Sequence, residues 1–142
     1  MYRTILVGLD GSPREAEVFR TAVRLAKTLG ATLHVCRGVT IPVGLPDAVW
    51  SMSMAQLDVA LVNEAERAVD ARLADASDLA IGKHVRIGQP SDVVCDTAKE
   101  IGADLVIIGS HGYGAFERLL GTTASKIVHR CPCSVMVVRV TQ

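Results

Sequence analysis

The sequence predicts an α/β fold: one domain over residues 1–142, in which a five-stranded parallel sheet of order 3-2-1-4-5 carries helices on both faces. Three observations predict it. Apolar runs alternate with stretches of helical periodicity along the chain, and such alternation builds a parallel sheet through right-handed crossovers. The run TILVGL (residues 4–9) is continuous instead of alternating, which suits a strand covered on both faces. Finally, 142 residues can bury one core and are too few for two comfortable ones.

The elements follow in order. The first strand is bounded by the turn DGSP. From Glu15 to Leu29, the apolar residues Ala16, Phe19, Ala22, Val23, Ala26 and Leu29 fall at helical spacing, with Pro13 suited to the start and Gly30 to the stop. ATLHVCRGV (31–39) is the second strand. An excursion rich in proline and glycine then precedes a long helix from about Met54 to Ala74. A third strand is expected near His84 to Ile87, with a turn at Gly88 to Pro90 and Ser91 as the cap of a helix running to Gly102. ADLVIIGS (103–110) is the fourth strand. Thr122 or Thr123 opens a helix to about Arg130, Pro132 stops it, and SVMVVRV (134–140) is the fifth strand.

Composition narrows the function. Hydrophobic residues make up 49% of the chain and charged ones 21%, which excludes disorder; 15 Lys and Arg balance 15 Asp and Glu, so no global field favours nucleic acid or an anionic membrane. Any anion site must be local. No run approaches the roughly 18 apolar residues of a membrane span, and the amino terminus lacks the apolar core of a signal peptide. Cys36, Cys95, Cys131 and Cys133 lie in or beside apolar segments, as reduced thiols do, so a cytoplasmic location is expected.

In such a sheet, ligands collect at the carboxyl ends of the strands flanking the point where strand order reverses. If the first strand runs inside the sheet, with the second and third on one side and the fourth and fifth on the other, the reversal lies between strands one and four, whose ends carry DGS and GSHGYG. The second of these opens a stretch with Gly109, Gly112, Gly114 and Gly121, ending at a helix start. Glycines let backbone N–H groups converge on an anion, and a helix start adds free N–H groups and partial positive charge. The Walker pattern fails, because Ala115 and Phe116 stand where Lys and Ser/Thr are required. The dinucleotide pattern also fails, with Glu117 at its third glycine.

What remains is Gly109, two residues, Gly112, eight residues, and Gly121 followed by Thr122. Together with ILVGLDGS, GADLVIIGSHG, RLLGT and HRCPCSVMVVR, this resembles the nucleotide-binding branch of the universal stress protein family over the whole chain, with the glycine spacing one residue shorter than usual. The resemblance implies an adenine-nucleotide alpha-hydrolase-like sheet that binds ATP (or AMP or ADP), with Mg²⁺ as an ion that would bridge phosphates, and a homodimer through Ser134 to Val140. Carried over, Asp10 would accept from the ribose, and Gly38 or Val39 would face the adenine. Ile108, Gly109, His111 and Gly112 would line one side of the phosphates, and Gly121, Thr122 and Thr123 the other. Ala124 stands where many members have a further hydroxyl.

Plainer readings stand beside these. The glycines would also serve a long surface turn, Asp10 a capping role, and His111 a solvated position. Arg118 and Lys126 could neutralise phosphate or pair on the surface, and Trp50 could cover the adenine or pack beneath its own loop. His34 with Cys36, and His129 with Cys131 and Cys133, fall short of a four-ligand zinc pattern, so no metal site and no catalytic set is assigned. The function expected is therefore an ATP-dependent sensor or regulatory module in stress response. A slow ATPase or phosphotransfer enzyme, and a structural dimer with an empty cleft, are the alternatives.

Overall fold

A computed structural model describes residues 1–41, 53–110 and 122–140. Its elements are β1 (Thr4–Gly8), α1 (Glu15–Leu29), β2 (Thr32–Val39), α2 (Met54–Leu73) followed by a 3-10 turn (Ala74–Ala76), β3 (Ile81–Ile87), α3 (Pro90–Ile101), β4 (Leu105–Gly109), α4 (Thr122–Arg130) and β5 (Ser134–Val138). The sheet is parallel throughout, in the order β3-β2-β1-β4-β5.

The internal strands are apolar on both sides because both sides are covered. Ile5, Val7, Leu33, Val35, Leu105 and Ile107 pack with Val18, Phe19, Ala22 and Ala26 of α1 and Val69 of α2. On the opposite face, Leu6, Cys36, Val106 and Ile108 meet Val93, Val94, Cys95 and Ala98 of α3 and Ile127 of α4. Gly30 and Gly102 end α1 and α3 in the left-handed conformation, their N–H groups closing the last turn, as the glycine punctuation predicts.

Several boundaries differ from expectation: β4 spans Leu105–Gly109 within the expected 103–110, β5 ends at Val138 and not at Val140, and two further differences have a physical reason. β3 begins at Ile81 and not at His84, so it runs through Gly82. A side chain at Gly82 would place its Cβ 2.3 Å from His34 Nδ1, so glycine here makes room for an imidazole and does not end a strand. α3 begins at Pro90, with Gln89 at the cap position, and Ser91 lies inside the first turn and buried. Proline at the first helical position needs no N–H partner, and the helix starts two residues earlier than a serine cap would set it.

Candidate functional site

β1 and β4 lie side by side at the point where strand order reverses. Their register runs through Ile5↔Leu105, Leu6↔Val106 and Val7↔Ile107 and stops there. Beyond it the two chains turn to opposite sides. Leu9 donates its N–H to Cys36 O of β2 (2.9 Å), whereas Ser110 donates to Val138 O of β5 (2.8 Å). Each bond continues the ladder to the outer neighbour, while the pairing of β1 with β4 has already ended at Val7 and Ile107, so the sheet opens into a crevice at its carboxyl edge.

The near wall is the turn after β1. Asp10, exposed, accepts the Ser12 N–H on its Oδ1 (2.9 Å), an Asx turn that sets the carboxylate at the rim. Gly11 adopts φ +79°, and its N–H donates to Glu15 Oε1 at 2.6 Å. Glu15 is buried at the first position of α1, and its other oxygen accepts from Arg72 Nε of α2 at 3.1 Å. Arg72 also donates to Asp75 Oδ2 (3.2 Å). A buried carboxylate therefore ties the turn to two helices, and this rigidity is passed to Asp10, one residue away.

Arg37 adds positive charge here. A Cβ on Gly11 would lie 2.6 Å from its Nη2, so the guanidinium rests directly on the turn. Sequence reasoning passed over both Arg37 and the Glu15–Arg72 pair. A cation near the end of an otherwise apolar strand was the signal for Arg37; Glu15 and Arg72 stand 57 residues apart with no local sign of their contact.

The remaining expected residues divide among several surroundings. Gly38 is pressed against the start of α3, where a Cβ would stand 2.9 Å from Pro90 Cα, and Val39, buried, accepts the Gly88 N–H (3.0 Å). Both extend past the end of β1, since Gly8 is level with Cys36. Ile108 is buried in the core on the α3 and α4 side, so only its backbone is available to the crevice, and Gly109 ends β4 beside it. Thr122 is the first residue of α4 and Thr123 is exposed in its first turn. His111, Gly112, Gly121, Arg118 and Trp50 lie outside the described residues.

The histidine and cysteine pairs read from sequence resolve differently. His34 Nδ1 lies 3.0 Å from His84 Nε2 on the neighbouring strand, with ring centres 5.2 Å apart. Burial lowers the pKa of each ring, and for His84 the neighbouring imidazole and Arg86 lower it further. Cys36 is fully enclosed, and burial pushes its thiol up to about 12. Among the described residues, no group of three or more His, Cys, Asp or Glu is arranged to hold a metal ion.

Comparison with known proteins bears on the whole chain. The family model described as "Universal stress protein family" matches residues 1–139. Universal stress protein YxiE of Bacillus subtilis is 30% identical, with 98% of this chain and 100% of that protein covered. Among solved structures, universal stress protein UspA from Lactobacillus plantarum superposes with a TM-score of 0.79 at 26% identity, covering 97% of this chain and 98% of that one. A universal stress protein solved in complex with cAMP gives 0.67 at 22% identity, covering 99% of each chain. With its sheet order, its crevice and a family match over nearly its full length, the chain belongs to the universal stress protein family.

Proposed function

We propose that this chain is a nucleotide-binding regulatory module that takes ATP (or AMP or ADP) into the crevice between β1 and β4, with Asp10 at the ribose and the start of α4 toward the phosphates. The observation that carries the reading is that β1 and β4 stop pairing at Val7 and Ile107 while each stays bonded to its outer neighbour, which parts the two strands at the reversal point of the sheet. The first turn of α4 adds free N–H groups of the kind that receive phosphate. The relative solved with cAMP is a family member whose ligand is an adenine nucleotide. Arg37 supplies charge that a polyphosphate would complement.

The reading places the protein in the stress response as a sensor, in the cytoplasm, and as a homodimer. β5 is an edge strand with Val137 42% exposed, and an apolar edge invites a second copy. No helix among the described residues is long and apolar enough to cross a membrane. Mg²⁺ would bridge phosphates if ATP is the ligand.

Titration calorimetry with ATP, AMP and cAMP tests the proposal on the native chain, on Asp10→Ala, and on Gly112→Val and Gly121→Val. Native protein is expected to bind at least one nucleotide, and Asp10→Ala to weaken it about tenfold, the equivalent of one charged hydrogen bond. If native protein binds none, or all variants bind as it does, the crevice is not a nucleotide site. Phosphate release from ATP with Mg²⁺ would instead identify a slow ATPase.

A further inference from the structure

Apart from the crevice, the fold brings two thiols together. Cys95 lies on the buried face of α3, and Cys131 follows the last residue of α4; their Sγ atoms are 3.2 Å apart. All four cysteines are free thiols. The surroundings hold this pair in place from both sides. Cys131 donates its N–H to Ile127 O (2.9 Å), Ile127 is buried in the cluster that contains Cys95, and Arg130 pairs with Asp92 Oδ1 at 2.6 Å, one turn from Cys95. α3 and α4 are thus already joined by an ion pair and an apolar contact at the level of the two sulfurs. Closing to an S–S bond of about 2.05 Å requires about 1.2 Å of approach. Cys131 is also partly exposed while Cys95 is buried, so a reagent can reach one thiol and leave the other to resolve it.

We infer that Cys95 and Cys131 form a dithiol modification site that a small-molecule disulfide, such as glutathione disulfide, converts to an intramolecular disulfide. The Cys131 thiolate attacks one sulfur of the reagent, breaking its S–S bond and releasing one thiolate. The Cys95 thiolate then attacks Cys131 Sγ, forming the protein disulfide and releasing the second. Two electrons pass to the reagent, which leaves as two thiols carrying the protons the cysteines gave up. Burial and the neighbouring Cys95 raise the Cys131 pKa, so the Cys131 thiol rests protonated and reacts slowly. The disulfide would pin the carboxyl end of α4 to α3. Since α4 starts at Thr122, the site would bear on the helix that the proposed function sets toward the phosphates.

The full-length protein is incubated with millimolar glutathione disulfide, then free thiols are counted and unreduced peptides mapped by mass spectrometry. The expected result is a fall from four free thiols to two in a chain with no intermolecular link, a Cys95–Cys131 peptide, and a Tm raised by about 10 °C for a loop of this length, all reversed by dithiothreitol. Cys133→Ser should behave as native protein does, and Cys131→Ser should keep its thiols. A dominant Cys131–Cys133 or intermolecular link, glutathione adducts alone, thiols that react only after denaturation, or a lowered Tm would each overturn the assignment.

Discussion

Replacing Glu15 with alanine is expected to destabilise the fold by about 3 kcal/mol, worked as follows. The Glu15 side chain is 7% exposed and accepts two hydrogen bonds, from Gly11 N–H and Arg72 Nε. Each bond to a charged group contributes roughly 1.5–3 kcal/mol. Arg72 is 24% exposed and keeps Asp75 as a partner, so its share falls to about 1 kcal/mol, and about 2 kcal/mol is the share of the lost bond from the Gly11 N–H. Urea denaturation followed by circular dichroism measures the sum, and a double-mutant cycle with Arg72→Ala isolates the pair, with a coupling of about 1 kcal/mol expected. An effect of Glu15→Ala under about 0.5 kcal/mol, or additive single effects, would refute the reasoning. Because Gly11 adjoins Asp10, the same variant should weaken the proposed nucleotide binding more than its distance from the crevice suggests.

The His34–His84 contact needs one ring to donate and the other to accept, so it survives only while at most one is charged. Burial lowers both pKa values in the folded state, so the unfolded chain binds more protons; stability is complete above the ordinary histidine value of 6.5 and falls as pH drops below it. Urea midpoints at pH 7.5 and 5.5 should therefore differ more for native protein than for His84→Gln, and equal differences would exclude the pair as the cause. Val137→Lys, on the exposed β5 edge, should shift sedimentation from dimer to monomer; a dimer that persists would move the proposed interface elsewhere.

Sheet order was legible because each strand and helix announces itself locally, through continuous apolar runs such as ILV and VII and through Gly30 and Gly102 at the helix ends. β3 was only half legible. Gly82 reads as a breaker in isolation, and its reason for being glycine is His34, 48 positions earlier and beside it only through strand pairing. The Ser91 cap failed on a local ambiguity, since Pro90 and Ser91 each begin helices and only backbone geometry ranks them. At the candidate site, Asp10 was legible as a candidate because it follows an apolar run at the reversal of strand order. Its support was not, because Glu15, Arg72 and Arg37 come from three elements and meet only after folding. Charge patterning finds partners one helical turn apart and not across a domain.

The crevice depends as much on what closes the opposite edge of the sheet as on what opens this one. Asp104, just before β4, accepts the Arg3 N–H on both carboxylate oxygens (2.9 and 3.1 Å) and the Thr4 N–H at 3.0 Å, while its own N–H donates to Thr4 O at 3.0 Å. The hydrogen bond from the Arg3 N–H, ahead of that from Thr4, holds this carboxyl below its usual range, so it stays charged at neutral pH. β1 and β4 are therefore pinned where they begin, run in register for three residue pairs, and part where they end. Strand twist alone would separate them gradually. Pinning one end, while at the other each strand stays bonded only to its outer neighbour through Leu9 and Ser110, places the separation at a fixed point close to Asp10.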